Sequence, residues 1–83
     1  MPAVLPASAP LPPSQQVVWA LHKDGSTAIG LMREVPGMGR EFRVTVDGWL
    51  YWCAIYRHGN HLDLMAAQHR IDFEQRGWVS ARS

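Results

Sequence analysis

Two Asp-Gly dipeptides, Asp24-Gly25 and Asp47-Gly48, each separate a pair of runs rich in β-branched and aromatic residues. VVWALHK and TAIGLMRE flank the first, EFRVTV and WLYWCAIY the second. A tight hairpin turn of type I′ needs positive φ at both central positions, which Asp tolerates and Gly adopts freely. The dipeptides therefore predict two β-hairpins, with VPGMG at 35–39 as a longer connection between them. Four sequential strands joined this way form an antiparallel meander.

Past His58-Gly59 the apolar period lengthens from two to about 3.6 residues. HLDLMAAQHRIDFEQR sets Leu64, Ala67, Ile71 and Gln75 along one line and Leu62, Met65, His69 and Phe73 along the next. This predicts an amphipathic helix with Asn60 as N-cap and Arg70 and Arg76 toward the negative end of its dipole. Gly77 is the expected left-handed C-terminal cap, with Trp78 and Val79 folding back on the last turn. The fold class is α+β: a four-stranded antiparallel β-meander packed on one face by a single C-terminal α-helix, in the order β-β-β-β-α. The expected organisation is a proline-rich arm at 1–15, which holds five of the six prolines and no charge, one domain at 16–79 and a flexible tail at 80–83.

A two-residue loop at Asp47-Gly48 sets a register of Val46 with Trp49, Val44 with Tyr51 and Phe42 with Cys53. The helix can cover only one face. Phe42, Val44, Val46, Trp49, Tyr51, Cys53 and Ile55 are thus the expected core, packed on Leu64, Ala67 and Ile71. The opposite face then carries Glu41, Arg43, Thr45, Leu50, Trp52, Ala54 and Tyr56. In the first hairpin a two-residue and a three-residue loop place Ile29 and Leu31 differently, so its register stays open. Trp19, Val17 and Leu21 read as a further core row, with Val18, Ala20 and His22 on the outer side.

Function is argued from that outer face and from what the composition excludes. With 83 residues the core is small and a partner that adds buried area would help stability. Eight Lys and Arg against seven Asp and Glu give a formal charge of +1, short of the surplus a dedicated nucleic-acid binder carries. The single cysteine, Cys53, permits no intrachain disulfide and fits a reducing, cytoplasmic setting. No apolar run reaches spanning length, so no membrane partner is expected. His58, His61 and His69 lack the converging ligand set of a zinc site, and no metal or other cofactor is expected. Neither a nucleophile elbow nor a phosphate loop occurs, and no small-molecule substrate or enzyme activity is implied.

The expectation is a small non-catalytic protein-interaction or regulatory module that uses the sheet face opposite the helix. Its partner would be another protein or a second copy, giving a homodimer. Trp52 and Tyr56 would anchor that contact, with Leu50 as an apolar flank and Arg43 as the orienting charge. The alternative reading is a nucleic-acid-binding regulatory domain that stacks bases on the same face.

Overall fold

The computed structural model of the chain describes residues 15–80. The elements are β1 (Gln15–Lys23), β2 (Ser26–Val35), β3 (Gly39–Val46), β4 (Trp49–Tyr56), α1 (Gly59–Gln75) and β5 (Val79–Ser80). This is an α+β fold in which the expected meander and helix are followed by a short fifth strand. The sheet order is β4-β3-β2-β1-β5, every neighbour antiparallel. The arm expected at 1–15 and the tail at 80–83 lie outside the described residues, except that Gln15 opens β1 and Ser80 closes β5.

Both Asp-Gly turns have positive φ at each central residue: 51° and 83° at Asp24 and Gly25, 52° and 85° at Asp47 and Gly48. Lys23 pairs with Ser26, so the first hairpin has a two-residue loop, and Val46 pairs with Trp49 as expected. The second turn is also tied to its neighbour strand. The Thr27 amide donates to Asp47 Oδ1 at 2.9 Å, and the Asp47 amide donates to the Thr27 carbonyl at 2.8 Å. The Thr27 amide bond to the carboxylate, together with one from the Ser26 hydroxyl, holds the Asp47 pKa below its ordinary value.

Beyond the turn the second hairpin departs from the expected register. Thr45 pairs with Leu50, but Val44 pairs with Trp52, so Tyr51 and Trp52 together oppose one residue in a β-bulge. Arg43 then pairs with Cys53, Phe42 with Ala54 and Glu41 with Ile55. Because side chains alternate with period two, the single extra residue inverts every later face assignment in β4. Cys53 and Ile55, expected in the core, fall on the open side and are exposed. Tyr51, Trp52 and Tyr56 turn toward α1. The rings of Tyr51 and Phe73 meet edge-on at 5.3 Å, and Trp52 lies 4.3 Å from His69 and 6.2 Å from Phe42.

A second bulge, at Val18 in β1, acts in the same way. Val17 pairs with Leu31 and Trp19 with Gly30. Trp19 and Leu21 remain in the core as expected, whereas Val17 moves to the open side.

The core joins Trp19, Leu21, Ala28, Phe42 and Val44 of the sheet to Leu62, Ala66 and Phe73 of α1. The helix is therefore rotated from the expected orientation: Leu64 is 67% exposed and Ile71 45%. Trp19 fixes that rotation. Its indole Nε1 donates to the Ala66 carbonyl at 3.0 Å, and its ring lies 5.7 Å from that of Phe73. Room for the indole comes from Gly30, where a Cβ would stand 2.7 Å from Trp19 Cε2.

The helix N-cap is His58, without a side-chain cap bond, and Asn60 lies inside the first turn instead of capping it. At the other end Gly77 has φ +98°, its amide donates to the Glu74 carbonyl at 3.0 Å, and the Trp78 amide donates to the Phe73 carbonyl at 3.1 Å. With the Trp78 ring on Phe73 at 5.3 Å, this is the Schellman ending with its hydrophobic contact. The reversal delivers Val79 to the edge of β1, opposite His22.

Candidate functional site: the open sheet face

The strands' register assembles the face opposite α1 from three cross-strand rows. Gln15, Arg33, Glu41 and Ile55 form one, Val17, Leu31, Arg43 and Cys53 the next, and Ala20, Ile29, Thr45 and Leu50 the third. Among the described residues no element covers this face, since the one helix packs on the other side. Apolar side chains thus surround a charged centre. Val17 is 52% and Leu50 57% exposed.

At the centre Glu41 lies between two arginines. Arg33 Nε donates to its Oε1 at 2.6 Å, and an Arg43 terminal nitrogen donates to Oε2 at 3.3 Å. The carboxylate is nearly out of solvent, with 7% residue exposure, whereas the arginine side chains keep 45% and 41%. Burial pushes the Glu41 pKa up, but hydrogen bonds from Arg33 and Arg43, reinforced by their charges, outweigh it and leave the pKa below its ordinary value. Two guanidinium groups over one carboxylate leave a surplus positive charge on an apolar surface. Arg43 Nε is buried and has no hydrogen-bond partner among the described residues.

Between Gln15, Leu31, Arg33, Glu41 and Arg43 there is a depression of about 40 Å³. That volume suits a water molecule, not the several hundred Å³ of a small-molecule site. The face therefore offers a broad contact surface with a polar focus.

Of the four residues expected to line the working face, the structure brings together Arg43 and Leu50 and separates Trp52 and Tyr56. The β4 bulge puts both rings on the helix side, where Trp52 packs on Phe42 and Tyr56 lies 5.8 Å from the His61 ring. Burial raises the Tyr56 pKa. Cys53 and Ile55 belong to the face although the sequence places them in the core, and the register of the first hairpin, open in the sequence, adds Leu31 and Arg33. In β2 the alternation misleads, because Ile29 and Leu31 are the larger apolar residues yet lie on the open face, while Ala28 and Gly30 are buried. In β4 both alternating sets are apolar, so the alternation carries no signal.

The histidines are placed in separate packing roles, His69 against Trp52 and His61 against Tyr56. No group of three or more His, Cys, Asp or Glu that could hold a metal ion occurs among the described residues. No helix among them is long and apolar enough to cross a membrane. In comparisons with known proteins, the chain matches no family model, no curated protein and no solved structure.

Proposed function

We propose that the chain is a small non-catalytic interaction module whose working surface is the open sheet face, with a protein as its partner. One observation carries the reading: a sheet face that no described element covers, with exposed apolar side chains, encloses an Arg33–Glu41–Arg43 triad. Apolar area supplies the driving force for such a contact, and arginines are enriched where interfaces concentrate their energy. The surplus positive charge favours a partner that brings a carboxylate to an apolar surface. Leu31 and Arg43 form the centre of this site and Leu50 its flank. The exposed, unpaired Cys53 is consistent with a reducing compartment and so with a cytoplasmic setting.

Nucleic-acid binding draws less support. The open face has no Trp, Tyr or Phe for base stacking, because the rings of β4 point to the helix, and its carboxylate offsets one of the two arginines.

The test is capture with the immobilised full chain, followed by titration of the purified captured protein. Leu31→Glu should weaken binding at least tenfold, while Leu64→Glu on the exposed outer side of α1 should leave it unchanged. Binding insensitive to Leu31→Glu and Arg43→Ala would refute this use of the face. A steep fall in affinity with added salt, with nucleic acid in the captured material, would favour the alternative.

A further inference from the structure

The geometry points to homotypic pairing of the β4 edge: two copies joined antiparallel along Trp52–Tyr56, giving one continuous sheet with both open faces on the same side. β4 is an outer strand, with β3 on one side and no described strand on the other. Natural edge strands are protected by charges, proline, shortness or bulges. The opposite edge meets that need through the short β5 and the bulge at Val18. β4 has eight residues, WLYWCAIY, with neither charge nor proline, and its one bulge, at the extra residue Tyr51, precedes Trp52. The stretch from Trp52 to Tyr56 is left regular and unprotected.

The backbone selects a strand as the occupant, and the side chains select a second copy. In an antiparallel ladder alternate residues bond across to the same neighbour. Counting from the Val46–Trp49 pair that closes the turn, and through the bulge at Val44, the residues whose N–H and C=O groups face away from β3 are Cys53 and Ile55. Another strand answers those groups directly.

A two-fold axis at Ala54 then sets Cys53 against Ile55 of the second copy, and the reverse, as hydrogen-bonded pairs. The same axis sets Trp52 against Tyr56 as aromatic pairs on the helix side and leaves small Ala54 opposite itself. Homotypic pairing usually brings like charges close to one another, and this strand has none. The pairing stands whether or not the open face binds a further protein.

Sedimentation equilibrium of the full chain tests it. The mass should rise with concentration toward twice the 9.3 kDa of one chain. Ile55→Pro removes an outward N–H without touching the bonds to β3 and should hold the chain monomeric with unchanged circular dichroism; should it unfold, Ile55→Lys decides instead. In Cys53→Ser/Ala54→Cys, glutathione disulfide should oxidise the facing thiols of two copies to one disulfide, with release of two glutathione thiols. A monomer at every concentration, with no covalent dimer, overturns the inference. So does a dimer that survives Ile55→Lys but is lost in Leu31→Glu, which would assign self-association to the open face and support that reading instead.

Discussion

Gly30→Ala tests the contact that sets the helix on the sheet. The new Cβ would lie 2.7 Å from Trp19 Cε2 and 3.0 Å from Cδ2 and Cζ2, against about 3.5–4.0 Å for relaxed carbon contacts. The indole has little freedom to yield. It is 5% exposed, its ring sits between Phe42 at 6.2 Å and Phe73 at 5.7 Å, and its Nε1 is bonded to the Ala66 carbonyl. Overpacking of this kind costs about 1–3 kcal/mol, and a displaced indole would forfeit a hydrogen bond worth about 1 kcal/mol. The lower unfolded-state entropy of alanine returns about 0.4–1 kcal/mol. The expected net loss is about 2 kcal/mol, a fall in Tm of roughly 8–16 °C for a domain of this size. Urea and thermal unfolding of Gly30→Ala, alone and with Trp19→Phe, measure it. Because the contacting atoms belong to the indole, the penalty should shrink in the Trp19→Phe background, a coupling that a double-mutant cycle isolates. An unchanged or raised stability for Gly30→Ala, or an equal cost in both backgrounds, would refute the reasoning.

Glu41→Gln should destabilise by about 1 kcal/mol, since charge-assisted bonds are lost but half-exposed arginines are well screened by solvent. The folded-state pKa of Glu41 is lowered, so its contribution is complete above its unfolded value of about 4.3 and is lost as pH falls through the lower folded value. Acid titration of stability should accordingly be shallower below about pH 4.3 in Glu41→Gln, with Asp47 left to supply a remaining slope in the same direction. Equal acid limbs in the two proteins would contradict the buried pairing. Gly77→Ala should cost about 1 kcal/mol because φ +98° lies where a Cβ is strained, and Gly77→Asn should cost less; chemical denaturation of both distinguishes left-handed strain from simple loss of a glycine.

The proposed use of the open face rests on apolar area that no described element covers together with an ordered charge cluster, and the proposed pairing rests on the outer position of β4 among the described strands. Under the two proposals, one chain would contact a partner across the sheet and a second copy along it. Neither proposed contact requires Trp52 or Tyr56 to leave the helix side, where Trp52 packs on Phe42 and His69 and Tyr56 on His61.

Local sequence determined the features whose chemistry resides in one or two residues. Asp24-Gly25 and Asp47-Gly48 placed both hairpin turns because positive φ selects those residue types, and Gly77 with Trp78 placed the helix end for the same reason. The four main strands, their order and the fold class followed from those points, whereas the short β5 did not. Arg43 and Leu50 were placed on the open face correctly, one reached by way of β3 and the other before the β4 bulge. Tertiary structure alone decided which side the rest of β4 presents and which line of α1 is buried. In WLYWCAIY both alternating sets are apolar, so either parity can bury hydrophobic area, and the inserted residue at Tyr51 is recognisable only once Phe42, Phe73 and His69 supply the rings that receive Tyr51 and Trp52. The helix likewise carried two apolar lines of similar content. The choice of Leu62, Ala66 and Phe73 over Leu64 and Ile71 came from the Trp19 indole, which fits only beside Gly30 and bonds only to Ala66, a long-range match that no local period encodes.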